Sequence, residues 1–176
     1  MKPKVTPVVS VVMGSDSDLH IMQEAVNILD AFGIPNELYL TSAHRAPERT
    51  TAYAGGAAAR GVRIIIAGAG AAAHLAGVIA SQTTLPVIGV PIDATSLGGL
   101  DALLSTLQMP GGIPVATMAI GKAGAKNAAL MAVRILALTD KTLGKKLDAY
   151  IANMAGEIEK KGEALSPHAR GGHDEG

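Results

Sequence analysis

The stretch VVSVVMGSDSD, residues 8–18, decides the fold class of this chain. Its first six residues are mostly β-branched and apolar, which is typical of a strand buried on both faces of a sheet. After it, Leu19, Met22 and Leu29 follow a helical spacing until Gly33, so the strand is predicted to lead through a polar turn into a helix. A buried strand followed by a helix is the repeating unit of proteins with a parallel sheet.

The same alternation continues to the end of the chain. Further strands are predicted at residues 37–40, 62–67, 86–90 and 115–119, and helices at 18–32, 47–59, 72–81, 97–107, 123–138 and 140–161. Right-handed crossovers between such strands predict an α/β fold, a flavodoxin-like or Rossmann-like three-layer sandwich with a central parallel sheet and a C-terminal helix. We expect residues 1–165 to form a single catalytic domain and the polar residues 166–176 to be a disordered tail.

The composition argues against several classes of function. Fifteen basic residues balance fifteen acidic ones and only 2% of residues are aromatic, so we expect no nucleic acid partner. The absence of Cys excludes disulfides, thiolate catalysis and zinc–thiolate sites, and it suits a cytoplasmic enzyme. The longest apolar stretch, Ile64–Ala80, is interrupted by Gly68, Gly70, His74 and Gly77. A membrane span needs ~20 apolar residues, so we expect no membrane partner either.

The first polar turn, Gly14–Asp18, is a candidate cradle for an anion. Gly14 would allow a sharp turn and a close approach of the ligand, and the hydroxyls of Ser15 and Ser17 would suit a phosphate at a helix start. Asp18 would repel a phosphate and is better suited to accept hydrogen bonds from ribose hydroxyls. Ordinary N-capping explains the same residues without a ligand, so both interpretations stay open for this turn alone.

The second turn, Thr41–Pro47, carries the pair His44 and Arg45. A helix-opening Pro47 and a turn residue at Ser42 need no function, but a turn has little structural use for both members of the pair. Arg binds phosphate through a bidentate fork, and His can both give and take protons near neutral pH. The pair therefore favours acid–base chemistry beside a bound phosphate.

The third turn, Gly68–His74, nearly matches the dinucleotide-binding fingerprint, with Ala73 in the place of the third glycine and Asp93 ending the next strand. Against that interpretation, the turn follows the third strand, whereas the first strand already has a phosphate-type turn. His74 by itself is more typical of a packed histidine at the start of an apolar helix.

Five motifs occur in an order and spacing shared with one family. They are Met-Gly-Ser-x-Ser-Asp at Met13–Asp18, Ser-Ala-His-Arg at Ser42–Arg45, Ala-Gly-Ala-Gly and then Ala-Ala-His-Leu within Ala67–Leu75, Gln-Met-Pro at Gln108–Pro110, and Ala-Ile-Gly-Lys-Ala-Gly-Ala at Ala119–Ala125. Together they resemble the N5-carboxyaminoimidazole ribonucleotide mutase family of purine biosynthesis, over about residues 8–138. Arg45 and the Ala-Ala-His-Leu motif resemble its bacterial mutase branch. The chain departs from the family at Ala71, where Gly is usual, and at Ala76, where Pro is usual.

The resemblance implies an isomerase that moves a carboxyl group from the exocyclic nitrogen of an aminoimidazole ribonucleotide to ring carbon 4, with His44 as general acid and base. It implies that Ser15, Ser17, Ser42 and Arg45 hold the ribose phosphate and that Asp18 holds the ribose hydroxyls. The other residues of the implied substrate site are Gly14, Ala43, Gly70, Ala71, Ala72, His74 and Leu75. The resemblance implies no cofactor and no metal, and it implies a homo-octamer with active sites at subunit contacts.

Three alternatives stay open. A carboxylase would act directly on aminoimidazole ribonucleotide and carbon dioxide, and a nicotinamide-dependent oxidoreductase would bind NAD at the third turn. A nucleotide-sensing module would bind a ribonucleotide without forming a product, which would leave His44 without a role.

Overall fold

The computed structural model describes residues 6–165, and its elements follow the predicted alternation of strands and helices. The strands are β1 (Val9–Met13), β2 (Asn36–Leu40), β3 (Ile64–Gly70), β4 (Val87–Ile92) and β5 (Ala116–Thr117). The helices are α1 (Leu19–Phe32), α2 (Pro47–Gly56), α3 (Leu75–Ala80), α4 (Leu100–Leu107), α5 (Gly121–Ala137) and α6 (Lys141–Leu165). Short 3-10 turns lie at Asp16–Asp18 and Ala58–Arg60. The predicted disordered tail, residues 166–176, lies outside the described residues.

The five strands form one parallel sheet in the order β2-β1-β3-β4-β5. This is the order of flavodoxin-like folds, in which ligands bind beyond the carboxyl ends of the strands, near the point where the order reverses. The register places Met13, the last residue of β1, beside Leu40 of β2 and Gly68 of β3. The predicted α/β fold is confirmed, and the turns that follow these three strands start at the same edge of the sheet.

Burial explains why the central strands were readable from the sequence. All residues of β1 and β4 are buried, whereas β2 at the edge of the sheet alternates between half-buried and exposed positions. A strand covered on both faces needs a near-continuous apolar sequence, and such a run stands out from its neighbours.

Several predicted boundaries differ from the observed ones, and three of the differences have a clear structural reason or size. Strand β3 continues to Gly70, so Gly68 and Gly70 lie in the strand rather than in a loop. Helix α4 begins at Leu100 and not at Leu97, because Gly98 and Gly99 have φ values of 59° and 84°, which a right-handed helix does not accommodate. The strand predicted over residues 115–119 is reduced to the two residues of β5.

Tyr53 fixes α2 against the strands beside it. Its hydroxyl hydrogen-bonds to Ser10 of β1 and donates to Glu37 of β2, and its ring stacks on Tyr39 with the centroids 3.7 Å apart. Burial, with help from the Glu37 carboxylate, raises the pKa of Tyr53 above its ordinary range. The phenol therefore stays a neutral donor. Its contacts hold α2, which begins where the turn after β2 ends, against the sheet.

The described residues divide into two compact units, one ending at Val133 and the other beginning at Arg134. The first contains the whole sheet, and the second contains α6. Asp140 accepts hydrogen bonds from the amides of Thr142 and Leu143 at 2.9 and 3.0 Å, so it caps the N-terminus of α6. Within the part of the chain that the structure describes, no helix has the length and apolar character needed to cross a bilayer.

Candidate active site

A cavity of about 320 Å³ opens at the edge of the sheet where β1, β2 and β3 end. Small-molecule sites usually measure about 300–1,000 Å³, so this cavity suits a small ligand. The lining residues are Gly14, Ser15, Ser17, Asp18, Ser42, Ala43, His44, Arg45, Ala69, Gly70, Ala71, Ala72, Leu75 and Ala94. The three predicted turns therefore meet in one place. Of the predicted site residues only His74 is absent from the lining, and Ala69 and Ala94 are additions that carry no chemical signature in the sequence.

The turn after β1 satisfies its own hydrogen bonds. The backbone amide of Ser15 donates to the Asp18 carboxylate at 3.1 Å, and the Ser15 hydroxyl accepts from the amide and the hydroxyl of Ser17 at 3.4 and 2.9 Å. This reciprocal arrangement is a capping box, so the N-capping interpretation is correct for these residues. Their polar groups also face the cavity, and the two interpretations do not exclude each other.

Gly14 has a different role from the sharp turn expected of it. It is not among the glycines with positive φ, and a Cβ atom at Gly14 would lie 3.7 Å from the Cβ of Ala69, an ordinary contact distance. The backbone at Gly14 thus does not require glycine. The absence of a side chain at Gly14 leaves space in the wall of the cavity.

Asp18 is a nearly buried carboxylate, 4% exposed, in the wall of the cavity. Burial raises the pKa of Asp18 above its ordinary range, and hydrogen bonds from the Ser15 amide and the Ser17 hydroxyl oppose that rise. A buried carboxylate of this kind accepts hydrogen bonds from neutral donors and repels an anion. Its chemistry fits the hydroxyl groups of a sugar.

Arg45 bridges the first and second turns. Its Nη2 donates to the carbonyl oxygen of Gly14 at 3.1 Å, and its Nε donates to the hydroxyl of Ser42 at 3.4 Å. Among the described residues no carboxylate lies within 4.0 Å of the guanidinium. The site therefore holds a positive charge without a protein counterion, which suits a phosphate.

His44 and His74 contact each other directly. The Nε2 atom of His44 lies 2.8 Å from the Nδ1 atom of His74, and the two rings meet edge to face at 90° with centroids 5.0 Å apart. One of the two nitrogen atoms must carry the proton that joins them. The sequence offers no sign of this pair, because the residues come from different turns, 30 positions apart.

The turn after β3 contains a strained alanine. Ala71 has φ of 52° and is the one non-glycine residue with positive φ in the described part of the chain. An L-residue in the left-handed region costs roughly 1–2 kcal/mol, which explains why glycine would be the easier choice at this position.

Gly68 and Gly70 are needed for close packing and do not form a dinucleotide-binding turn. A Cβ atom would lie 2.2 Å from the sulfur of Met22 at Gly68 and 2.4 Å from the Cβ of Ala94 at Gly70. In the dinucleotide fingerprint the glycines form the tight strand-to-helix turn itself, whereas here both lie within β3. The sequence pattern at this turn is therefore not a dinucleotide-binding geometry.

Neither His44 nor His74 belongs to a cluster of metal ligands. In residues 6–165 no group of three or more His, Cys, Asp or Glu side chains is arranged to hold a metal ion.

Comparisons with known proteins agree on one family. The family model described as AIR carboxylase matches residues 8–157. The N5-carboxyaminoimidazole ribonucleotide mutase of Pyrococcus horikoshii is 55% identical over 159 residues, which cover 90% of this chain and 89% of that protein. The phosphoribosylaminoimidazole carboxylase of Schizosaccharomyces pombe is 49% identical over 163 residues, covering 93% of this chain but 29% of that protein. The crystal structure of Treponema denticola PurE superposes with a TM-score of 0.81 at 30% identity, covering 90% of this chain and 98% of that one.

Proposed function

Because this chain belongs to the AIR carboxylase family, we propose that it interconverts N5-carboxyaminoimidazole ribonucleotide and 4-carboxy-5-aminoimidazole ribonucleotide in purine biosynthesis. The reaction is an isomerisation, since the carboxyl group leaves the exocyclic nitrogen and joins ring carbon 4 of the same molecule. The observation that carries the assignment is that the His44 imidazole, the unpaired charge of Arg45 and the buried Asp18 carboxylate line one small cavity.

The charges of the cavity match the two ends of a ribonucleotide. Arg45, with the hydroxyls of Ser15, Ser17 and Ser42, binds the phosphate, and each charge-assisted bond contributes about 1.5–3 kcal/mol. Asp18 accepts hydrogen bonds from the ribose hydroxyls. The backbone of residues 70–72 forms the wall beside the aminoimidazole, next to the His44–His74 pair.

His44 carries one proton through both halves of the reaction. When the bond between nitrogen and the carboxyl carbon breaks, protonated His44 delivers its proton to the exocyclic nitrogen, and carbon dioxide is released in the cavity. Ring carbon 4 then attacks the carbon dioxide, and neutral His44 removes the proton from carbon 4. The proton balance closes, so a single imidazole serves as acid and then as base.

Carbon dioxide is too small to be retained by affinity. At a ceiling of about 1.5 kcal/mol per heavy atom, its three atoms supply at most roughly 4.5 kcal/mol, which corresponds to about millimolar affinity. Retention therefore depends on enclosure and on the proximity of carbon 4. Substrate labelled in its carboxyl carbon should keep the label during turnover in unlabelled bicarbonate, as measured by mass spectrometry of the product; complete loss of the label would contradict this retention.

The decisive experiment supplies the two candidate substrates separately. We expect N5-carboxyaminoimidazole ribonucleotide to yield the carbon-linked acid without added bicarbonate, in an assay coupled to consumption of that acid. Aminoimidazole ribonucleotide with bicarbonate should yield it much more slowly. The reverse preference would establish the carboxylase alternative, which the Schizosaccharomyces pombe relative represents over only 29% of its own length.

A homo-octamer in the cytoplasm is the assembly and location that go with this function. Four leucines with spacings of 3, 4 and 3 along residues 97–107 support association between chains, since they are 62%, 52%, 46% and 52% exposed: Leu97, Leu100, Leu104 and Leu107. Leu100, Leu104 and Leu107 follow a helical spacing on α4 and so lie on one face, and soluble monomers rarely expose large apolar patches. Sedimentation equilibrium should give a mass near eight times that of one chain, and a monomer would contradict the assembly.

A further inference from the structure

Helix α4 is hydrogen-bonded to the turn after β3 through Ser105. The backbone amide of Ala73 donates to the Ser105 hydroxyl oxygen at 3.1 Å. That hydroxyl donates its own hydrogen to the carbonyl of Asp101 one helical turn back, at 2.8 Å. Because the hydrogen is engaged there, the lone pairs of the oxygen are free to accept from Ala73, and the direction of the bond is fixed.

The neighbouring hydroxyl of Thr106 does not provide an equivalent link. It donates to the carbonyl of Ala102 at 2.7 Å and lies 3.4 Å from the carbonyl of Ala73. A hydroxyl has one hydrogen, and the Thr106 hydroxyl donates it in the shorter contact, to the carbonyl of Ala102. Of the two hydroxyls, Ser105 therefore makes the stronger hydrogen bond to this turn.

The turn needs a restraint from outside itself. Ala71 holds a left-handed backbone conformation that alanine disfavours, and the amides of Ala73 and His74 otherwise reach only carbonyls two residues back, those of Ala71 and Ala72. Such bonds across three residues define tight γ-turns. The next residue after Ala73 is His74, whose ring contacts His44 at 2.8 Å.

We propose that Ser105 is a positioning residue for the isomerisation, which it serves by holding the Ala71–His74 turn so that the His74 ring meets His44. Ser105 is absent from the cavity lining and acts through the Ala73 amide. This inference rests on the proposed function, because it assigns His44 as the proton carrier whose orientation matters.

The test compares three variants in the mutase assay. Ser105→Ala removes the acceptor and should lower kcat about tenfold while KM changes less than about twofold, since small displacements of a reacting group cost rate rather than binding. Ser105→Thr keeps the hydroxyl and should restore kcat to within about twofold of the wild type. Thr106→Val removes the adjacent hydroxyl and serves as the matched control, with kcat within about twofold of the wild type. Alanine is a better helix former than serine, so we expect Ser105→Ala to fold.

A crystal structure of Ser105→Ala provides a readout that does not depend on activity. We expect the His44–His74 distance to lengthen well beyond hydrogen-bond range. Retention of this distance at about the present 2.8 Å, a kcat of Ser105→Ala within twofold of the wild type, or a Ser105→Thr as slow as Ser105→Ala would each overturn the proposal. If the wild type shows no mutase turnover, the proposed function fails, and the His44–His74 distance in the variant still decides the role of Ser105.

Discussion

The turns after β1 and β3 line the same cavity but are held in opposite ways. The Gly14–Asp18 turn closes its own hydrogen bonds through a capping box. The Ala71–His74 turn contains a strained residue, donates a hydrogen bond from the Ala73 amide to a hydroxyl of α4, and contacts an imidazole from another turn. A turn held mainly by its own hydrogen bonds suits the binding of a phosphate and a sugar, whereas a turn held from outside would transmit small shifts to the reacting groups. We therefore expect changes near the first turn to affect mainly substrate affinity and changes near the third to affect mainly turnover.

The largest effect should come from the imidazole that the third turn contacts. His44→Asn should lower kcat at least about a hundredfold with little change in KM, because the variant keeps a similar shape but cannot transfer the proton. Steady-state kinetics with N5-carboxyaminoimidazole ribonucleotide measure it, and an unchanged melting temperature is the control. Near-full turnover of this variant would show that another group carries the proton.

The second effect concerns the charge that bridges to the first turn. Arg45→Ala should raise KM about 10- to 100-fold, the loss of one charge-assisted contact of about 1.5–3 kcal/mol. Arg49→Ala is the matched control, since Arg49 lies on α2 outside the cavity and bonds to the Tyr39 hydroxyl. Equal KM values for the two variants would show that Arg45 does not bind the phosphate.

A third change should relieve the strain of the third turn. Ala71→Gly should raise the free energy of unfolding by about 0.5–1 kcal/mol, because the relief of a left-handed alanine exceeds the entropy that glycine adds to the unfolded chain. Ala72→Gly, at a position without positive φ, should instead lower it by roughly 0.5–1 kcal/mol. Urea titration measures both, and a decrease in the free energy of unfolding for Ala71→Gly as well as for Ala72→Gly would mean that Ala71 is not strained.

The smallest effect is a pH dependence that belongs to the first turn. Because burial raises the pKa of Asp18, the folded protein binds this proton more tightly than the unfolded chain does. The contribution of Asp18 to stability is therefore greatest at acid pH and decreases as pH rises through the raised pKa. Asp18→Asn can still accept the Ser15 amide but does not titrate. We expect the free energy of unfolding of wild type minus that of the variant to decrease from pH 4 to pH 7; an increase would contradict the direction of the shift.

The strands and helices of this molecule could be predicted from the sequence more fully than its side-chain contacts. The buried strands β1, β3 and β4 have apolar runs that only a covered sheet requires, and the turns that follow all parallel strands of the sheet, including β2, must start at one edge. The grouping of His44 and Arg45 with the Ser15–Asp18 turn could therefore be anticipated. The end of β3 was predicted too early because of its glycines. In a sequence, a glycine that makes room for Met22 cannot be distinguished from a glycine that turns the chain.

Other features of the site have no signal in the sequence. The His44–His74 contact depends on the backbone of two turns, and the left-handed φ of Ala71 occurs in a residue type that usually avoids it. In the sequence, nothing distinguishes Ser105 from an ordinary helical serine. Only the fold places its hydroxyl at the Ala73 amide. Ala69 and Ala94 contribute only shape to the cavity. The roles of such residues follow only from the folded structure.

The bond from Arg45 to the Gly14 carbonyl has a consequence for how a ligand is captured. A guanidinium has five N–H donors, and in the described part of the chain Ser42 and Gly14 engage one donor each. The other N–H groups can donate to phosphate oxygens while the link between the two turns stays intact. Under the proposed function, binding of the phosphate would complete this partly used set of donors without rearranging it, and we expect the backbone around the cavity to superpose closely with and without the nucleotide.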